Sequence, residues 1–241
     1  MTIPRLSDHR LQVAANLYGW GHWTRILALA VHLPQVQFQV YNTMMPKLPQ
    51  PHWIPNVERV STLETGMPLI CDYSWQSALP YQPSDFPKSL CIRRHTPGES
   101  WDPRPFSQTL LAADLNRPGH FPPVVLETPI VNKPFDSHIV VSSEQSNHHF
   151  LAQLYPTYSH RVVFPVTSFR QQIQHLVGIA GYNLFWECAY YGIPCTLHRA
   201  THVNDSHHRL DELGDRPMPD PFVNGAPALA QALYDWWIHN L

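Results

Sequence analysis

The chain has 241 residues, 44% of them hydrophobic and 14% charged, with a formal net charge of −2. Such a composition excludes a disordered polyelectrolyte and a broad electrostatic footprint for nucleic acid, while leaving room for local binding of a phosphate. With 25 prolines against 10 glycines, the loops are expected to be stiff. The four cysteines (Cys71, Cys91, Cys188 and Cys195) sit in apolar sequence without a C-x-x-C pair. They read as reduced, buried thiols of a cytoplasmic protein. The first residues lack the apolar stretch of a signal peptide, and no apolar run is long enough for a transmembrane helix.

A first strand is expected over 11–17, followed by a turn at Gly19-Trp20-Gly21-His22. A helix over 23–33 carries Ile26, Leu27, Ala30 and Val31 on one face and stops at Pro34. Strict alternation over 36–41 predicts a second strand. This strand–helix–strand rhythm predicts a parallel α/β sheet. Further strands are expected at 57–60, 69–73 and 90–94, and a short helix at 107–115. Extended pieces at 124–127 and 129–131 lead to a domain boundary near Asn132. The second half repeats the rhythm. Strands are expected at 138–143, 161–164, 177–180 and 194–198, and helices at 147–154 and 169–176. A C-terminal helix covers 226–241 and crosses back to the first domain.

The most informative stretch is Gly181-Tyr182-Asn183-Leu184-Phe185-Trp186-Glu187, followed by Gly192-Ile193-Pro194. It reads as a glycine turn, a short helix with one acid, and a Gly-x-Pro stop. A helix N-terminus presents backbone N–H groups and the positive end of the dipole, which favours phosphate. Glu187 lies about one and a half turns further on, within reach of a hydroxyl of the same ligand.

Two stretches resemble the GT-B glycosyltransferases, in particular the MurG-like branch. One is the Gly19-Trp20-Gly21-His22 loop with Arg25-Ile26-Leu27-Ala28-Leu29-Ala30 behind it. The other is Ala180-Gly181-Tyr182-Asn183 through Glu187 to Gly192-Ile193-Pro194. The resemblance implies two Rossmann-like parallel-sheet domains facing across a cleft: an acceptor-side domain at 1–131 and a nucleotide-sugar domain at 132–225. It implies a cytoplasmic hexosyl- or N-acetylhexosaminyl-transferase that moves a sugar from a nucleoside-diphosphate sugar to an acceptor hydroxyl. No cofactor and no metal are implied. Carried over by position, Glu187 would hold the donor ribose. Gly181, Tyr182, Asn183, Asn204, Asp205 and His207 would line the donor site. His22 would be the general base, a role suited to a group that titrates near neutral pH. Gly19, Trp20, Gly21 and Asp72 would lie on the acceptor side. Arg209 matches an arginine common before a leucine in this branch.

Two other readings stay open. The chain is shorter than the family's usual members. The loop Ser142-Ser143-Glu144-Gln145 also carries an acid where a Gly-rich phosphate loop is expected. These features fit a non-catalytic binding or regulatory protein on a degenerate GT-B scaffold. A nucleotide-sugar 2-epimerase shares the fold. Trp20 and Trp23 are read as loop packing or as stacking faces for a sugar or base. Trp236 and Trp237 are read as packing, or, if exposed, as a peripheral membrane contact. Arg93-Arg94-His95 is read as a solvated loop, and the His148-His149 and His207-His208 pairs as non-metal residues.

Overall fold

In a computed structural model, described over residues 10–15, 20–41, 49–72, 82–94, 106–112, 119–142, 145–160, 163–201, 205–213 and 222–240, the chain is a mixed α/β protein. In chain order the elements are β1 (Arg10–Ala15), α1 (Trp20–His32), β2 (Gln37–Tyr41), β3 (Val57–Val60), β4 (Leu69–Asp72), β5 (Ser89–Arg94) and β6 (Gln108–Ala112). Then follow β7 (His138–Val141), α2 (Gln145–Leu154), β8 (Ser159–His160), β9 (His175–Ile179), α3 (Tyr182–Tyr191), β10 (Cys195–His198), α4 (Asp205–Leu213) and α5 (Ala226–Ile238). Two compact units form: Met1–Val124 with Gly225–Leu241, and Val125–Asn224.

Unit 1 holds a six-stranded sheet in the order β3-β2-β1-β4-β5-β6. Every pair in it is parallel. This is the strand order of a Rossmann-like sheet, and the direction of winding reverses between β1 and β4. The central strands show why. Leu11 through Ala15 of β1 and all four residues of β4 are buried, as expected for strands covered on both faces. At the flank, β2 alternates, with Phe38 and Val40 buried between half-buried neighbours. Residues 23–30 of α1 are all buried, and α5 packs along this helix. One amide ties the end of α1 to the turn that follows it. Asn56 Nδ2 donates towards Ala30, Leu33 and Val36 oxygens at 3.1, 3.0 and 3.0 Å. Trp236 and Trp237 are buried, so the pair offers no exposed aromatic surface for a membrane. No helix among the described residues is long and apolar enough to cross one.

Unit 2 holds a four-stranded parallel sheet in the order β10-β9-β7-β8. Here the winding reverses between β7 and β9. At Gly178 in β9 a Cβ would run into the Leu184 side chain of α3 and lie 3.2 Å from the Val141 carbonyl, so glycine sets the close approach of helix to strand. Gly192 ends α3 in the left-handed region at φ 62°.

Several expectations change. Helix α1 begins at Trp20, so Trp20, Gly21 and His22 form its first turn and not a loop before it. The expected helix at 107–115 is instead strand β6, because pairing with β5 outweighs a short apolar pattern compatible with either state. The expected helix at 169–176 is a 3-10 turn at Val166–Phe169 followed by β9, which starts at His175. The strand expected at 161–164 is the short β8, two residues earlier, with 161–162 outside the described residues. Helix α4 was not expected. Arg93 is buried in β5 and not a solvated loop residue.

Candidate functional site

In unit 1 the carboxyl ends of β1 and β4 lie side by side, with Ala15 opposite Asp72. Ligands of open parallel sheets bind at this end, at the point where the winding reverses. The chain returns there through α1, whose first turn carries His22. His22 Nδ1 lies 2.6 Å from Asp72 Oδ1. The imidazole is 15% exposed and the carboxylate fully buried, so the ring bridges interior and surface. Since an ionised carboxylate only accepts, Nδ1 carries the proton and Nε2 is the basic nitrogen. One helical turn on, Arg25 clamps the same carboxylate. Its Nε donates to Oδ2 at 2.8 Å, and an Nη donates to Oδ1. Burial alone would raise the Asp72 carboxyl. The charges of Arg25 and His22, and their hydrogen bonds, reverse that and hold it well below the usual carboxylate range. The arrangement orients an imidazole base against a buried acid, the logic of many proton-abstracting sites. Gly21 is exposed, and a Cβ there would meet nothing within 4 Å among the described residues. Trp20 is half-buried, whereas Trp23 is fully buried with its Nε1 donating to the Pro49 carbonyl at 2.7 Å. Trp23 is therefore core.

In unit 2 the helices α2, α3 and α4 start at the carboxyl edge of the sheet, and hydrogen bonds tie these starts together. Asn147, in the first turn of α2, accepts from the Thr201 N–H and hydroxyl at 2.9 and 3.1 Å. Ser206, second in α4, accepts from the Ala200 N–H at 2.9 Å. Arg209 of α4 donates to the Ala180 carbonyl just before α3. Its guanidinium also lies 5.7 Å from the Tyr182 ring centre. The first bond of α3 runs from the Phe185 N–H to the Gly181 carbonyl at 3.0 Å. The N–H groups of Tyr182, Asn183 and Leu184 therefore point out of the helix end. Three N-terminal dipoles at one edge favour an anion.

Glu187 lies on α3 and is only 6% exposed. Among the described residues nothing donates a hydrogen bond to its carboxyl and no cation is paired with it. Burial alone pushes it up to about 8. A carboxyl in that state keeps its proton at neutral pH.

The other expected site residues fall as follows. Tyr182 is buried beneath Arg209, so its ring packs inward and its backbone is what the helix end presents. Gly181 precedes α3 with extended backbone, and Asn183 is half-buried in the first turn. His207 Nε2 pairs with the Ala200 carbonyl at 3.1 Å and so braces its own loop. Asp205 begins α4. Gly19 and Asn204, and Ser143 and Glu144 of the expected phosphate loop, lie outside the described residues. Sequence reasoning did not assign Arg25, Asn147 or Ser206 to a site. For Arg25 the signal was present, since residues three apart share a helix face. Among the described residues no group of three His, Cys, Asp or Glu side chains is arranged to hold a metal. Comparison with models of protein families found no match, and no curated protein matches the chain.

Proposed function

We propose that this protein is a GT-B-like glycosyltransferase that moves a sugar from a nucleoside-diphosphate sugar to an acceptor hydroxyl, without a metal. In this reading unit 2 binds the donor and unit 1 binds the acceptor. The observation that carries it is Glu187, a buried acid with no hydrogen-bond donor among the described residues, on a helix that starts at the same sheet edge as two others. A nucleoside diphosphate has the matching pair of groups: hydroxyls for the acid and phosphates for the helix ends. His22 Nε2 takes the proton from the acceptor hydroxyl as its oxygen attacks the anomeric carbon. The bond from that carbon to the diphosphate breaks, and the helix N-termini stabilise the departing charge.

The binding half is tested by thermal shift with UDP, GDP, TDP and CMP. One diphosphate is expected to stabilise the protein by about 2.7 kcal/mol at a hundredfold excess over its dissociation constant. Glu187→Ala is expected to abolish that shift. Absence of a shift with every nucleotide would remove the donor site and favour the non-catalytic scaffold.

A further inference from the structure

We propose that Cys195 and Cys188 are a redox pair, which a low-molecular-weight disulfide of the glutathione type closes into a reversible disulfide between β10 and α3. The pair lies outside the sugar-transfer reading and does not depend on it. Its geometry begins at the end of α3. Gly192 turns the chain in the left-handed region, and the Ile193 N–H donates back to the Cys188 carbonyl at 3.0 Å. The chain is thereby led back past the helix it has just left. Cys195, the first residue of β10, packs against the same apolar cluster that holds Cys188, Ile193 and Leu176. There the two thiols are hydrogen-bonded to each other. A disulfide asks for sulfurs about 2.05 Å apart and Cβ atoms about 3.5–4.5 Å apart. Two thiols already in contact stand close to that arrangement.

The two sulfurs are not equivalent. Cys188 is 1% exposed. Cys195 is half-buried on the edge strand of its sheet, and the other three cysteines are all buried. The hydrogen bond adds to this difference. It lowers the Cys195 thiol, although burial opposes the shift. It raises the Cys188 thiol well above its ordinary value, and burial raises it further. Cys188 therefore donates its S–H to the Cys195 sulfur, and Cys195 gives up its proton first. The thiolate is the attacking form.

The chemistry follows from that order. The Cys195 thiolate attacks one sulfur of glutathione disulfide. That S–S bond breaks, a mixed disulfide forms on Cys195, and the first glutathione leaves as a thiolate and takes up a proton. Cys188 then loses its proton and attacks the Cys195 sulfur. The mixed disulfide breaks and the second glutathione leaves. Two protein thiols are oxidised and one external disulfide is reduced. The bond would pin the half of α3 that carries Glu187 to the edge strand. Cys71 and Cys91 supply the contrast. They are register partners in β4 and β5, but they are 0% and 1% exposed, and burial raises the Cys91 thiol. A reagent has no access to them.

The test incubates the whole folded chain with oxidised glutathione, traps the remaining thiols with iodoacetamide after unfolding, and maps the products by mass spectrometry without reduction. The wild type is expected to lose two of its four free thiols and to yield a fragment in which Cys188 and Cys195 are joined. Excess reduced glutathione is expected to restore all four. In Cys188→Ser the resolving thiol is gone, so a glutathione adduct should persist on Cys195. In Cys195→Ser no adduct should form on Cys188. Should serine unsettle the apolar cluster, the alanine variants give the same reading, and the wild-type map needs no variant. No nucleotide enters the experiment, so its outcome is separate from that of the donor-binding test. A folded wild type that keeps four free thiols would overturn the proposal. So would a Cys195 adduct in the wild type that never gives way to the disulfide, or adducts formed equally on both cysteines.

Discussion

Replacing Asp72 with Ala is expected to destabilise the protein by about 3–5 kcal/mol, the usual cost of removing one partner of a buried ion pair. The Arg25 guanidinium is 3% exposed and would lose the carboxylate that holds it. His22 would lose the acceptor that orients its ring. The pH dependence has a definite sign. The folded-state Asp72 carboxyl is held below its unfolded value. Its contribution is therefore complete above the ordinary carboxylate range, near pH 4, and is lost as pH falls towards the depressed folded value. Urea denaturation at pH 7 and pH 3 checks this. The gap between wild type and Asp72→Ala should be large at pH 7 and should narrow at pH 3. A gap that is small at both would mean the clamp contributes little.

The second large effect runs the other way. Glu187→Gln is expected to stabilise the protein at alkaline pH. Burial raises the folded-state carboxyl from 4.5 to about 8. Between those values the unfolded chain has given up the proton and the folded chain keeps it. The folded state binds more protons there, so wild-type stability falls as pH rises. At about 1.4 kcal/mol per unit, the loss by pH 8 is on the order of 5 kcal/mol. The amide does not titrate, so melting curves of the variant should be flatter than wild type from pH 5 to pH 8. Parallel curves would show that the acid is solvated or already partnered. A stabilising change at a buried acid also has a functional meaning. The cost that Gln removes is one that a ligand with two hydroxyl donors would remove in the wild type.

What was legible in the sequence follows from physical range. Alternation in Gln37–Tyr41 and the apolar face behind Trp23 are local, and they identified β2 and α1. Gly181 and Gly192 punctuate α3, and the left-handed backbone at Gly192 is what a helix end asks of glycine. Longer-range features were hidden. Gln108–Ala112 becomes a strand only because β5 offers an edge. Helix α4 reads Asp-Ser-His-His-Arg-Leu-Asp-Glu-Leu and has too few apolar residues to announce itself.

The two candidate sites divide along the same line. His22 and Asp72 were each singled out, but their meeting depends on the parallel register of β1 with β4, which no spacing encodes. Glu187 was singled out as a ligand contact, while its burial comes from packing. A hint lay in its neighbours, since Leu184-Phe185-Trp186 and Cys188-Ala189 surround one acid with apolar side chains. The bracing of the helix starts in unit 2 by Asn147 and Arg209 links residues far apart in the chain and left no local trace.

The measurement that tests the central claim most directly is the rate of nucleoside-diphosphate release from nucleotide sugars, with and without a panel of acceptor alcohols. The account predicts release that depends on one donor and one acceptor class, and that falls by about 100-fold or more in His22→Gln, the size expected for loss of a general base. Release at an equal rate without any acceptor would point to donor-only chemistry of the epimerase kind. A nucleotide that binds but never turns over, or turnover indifferent to His22, would contradict the account.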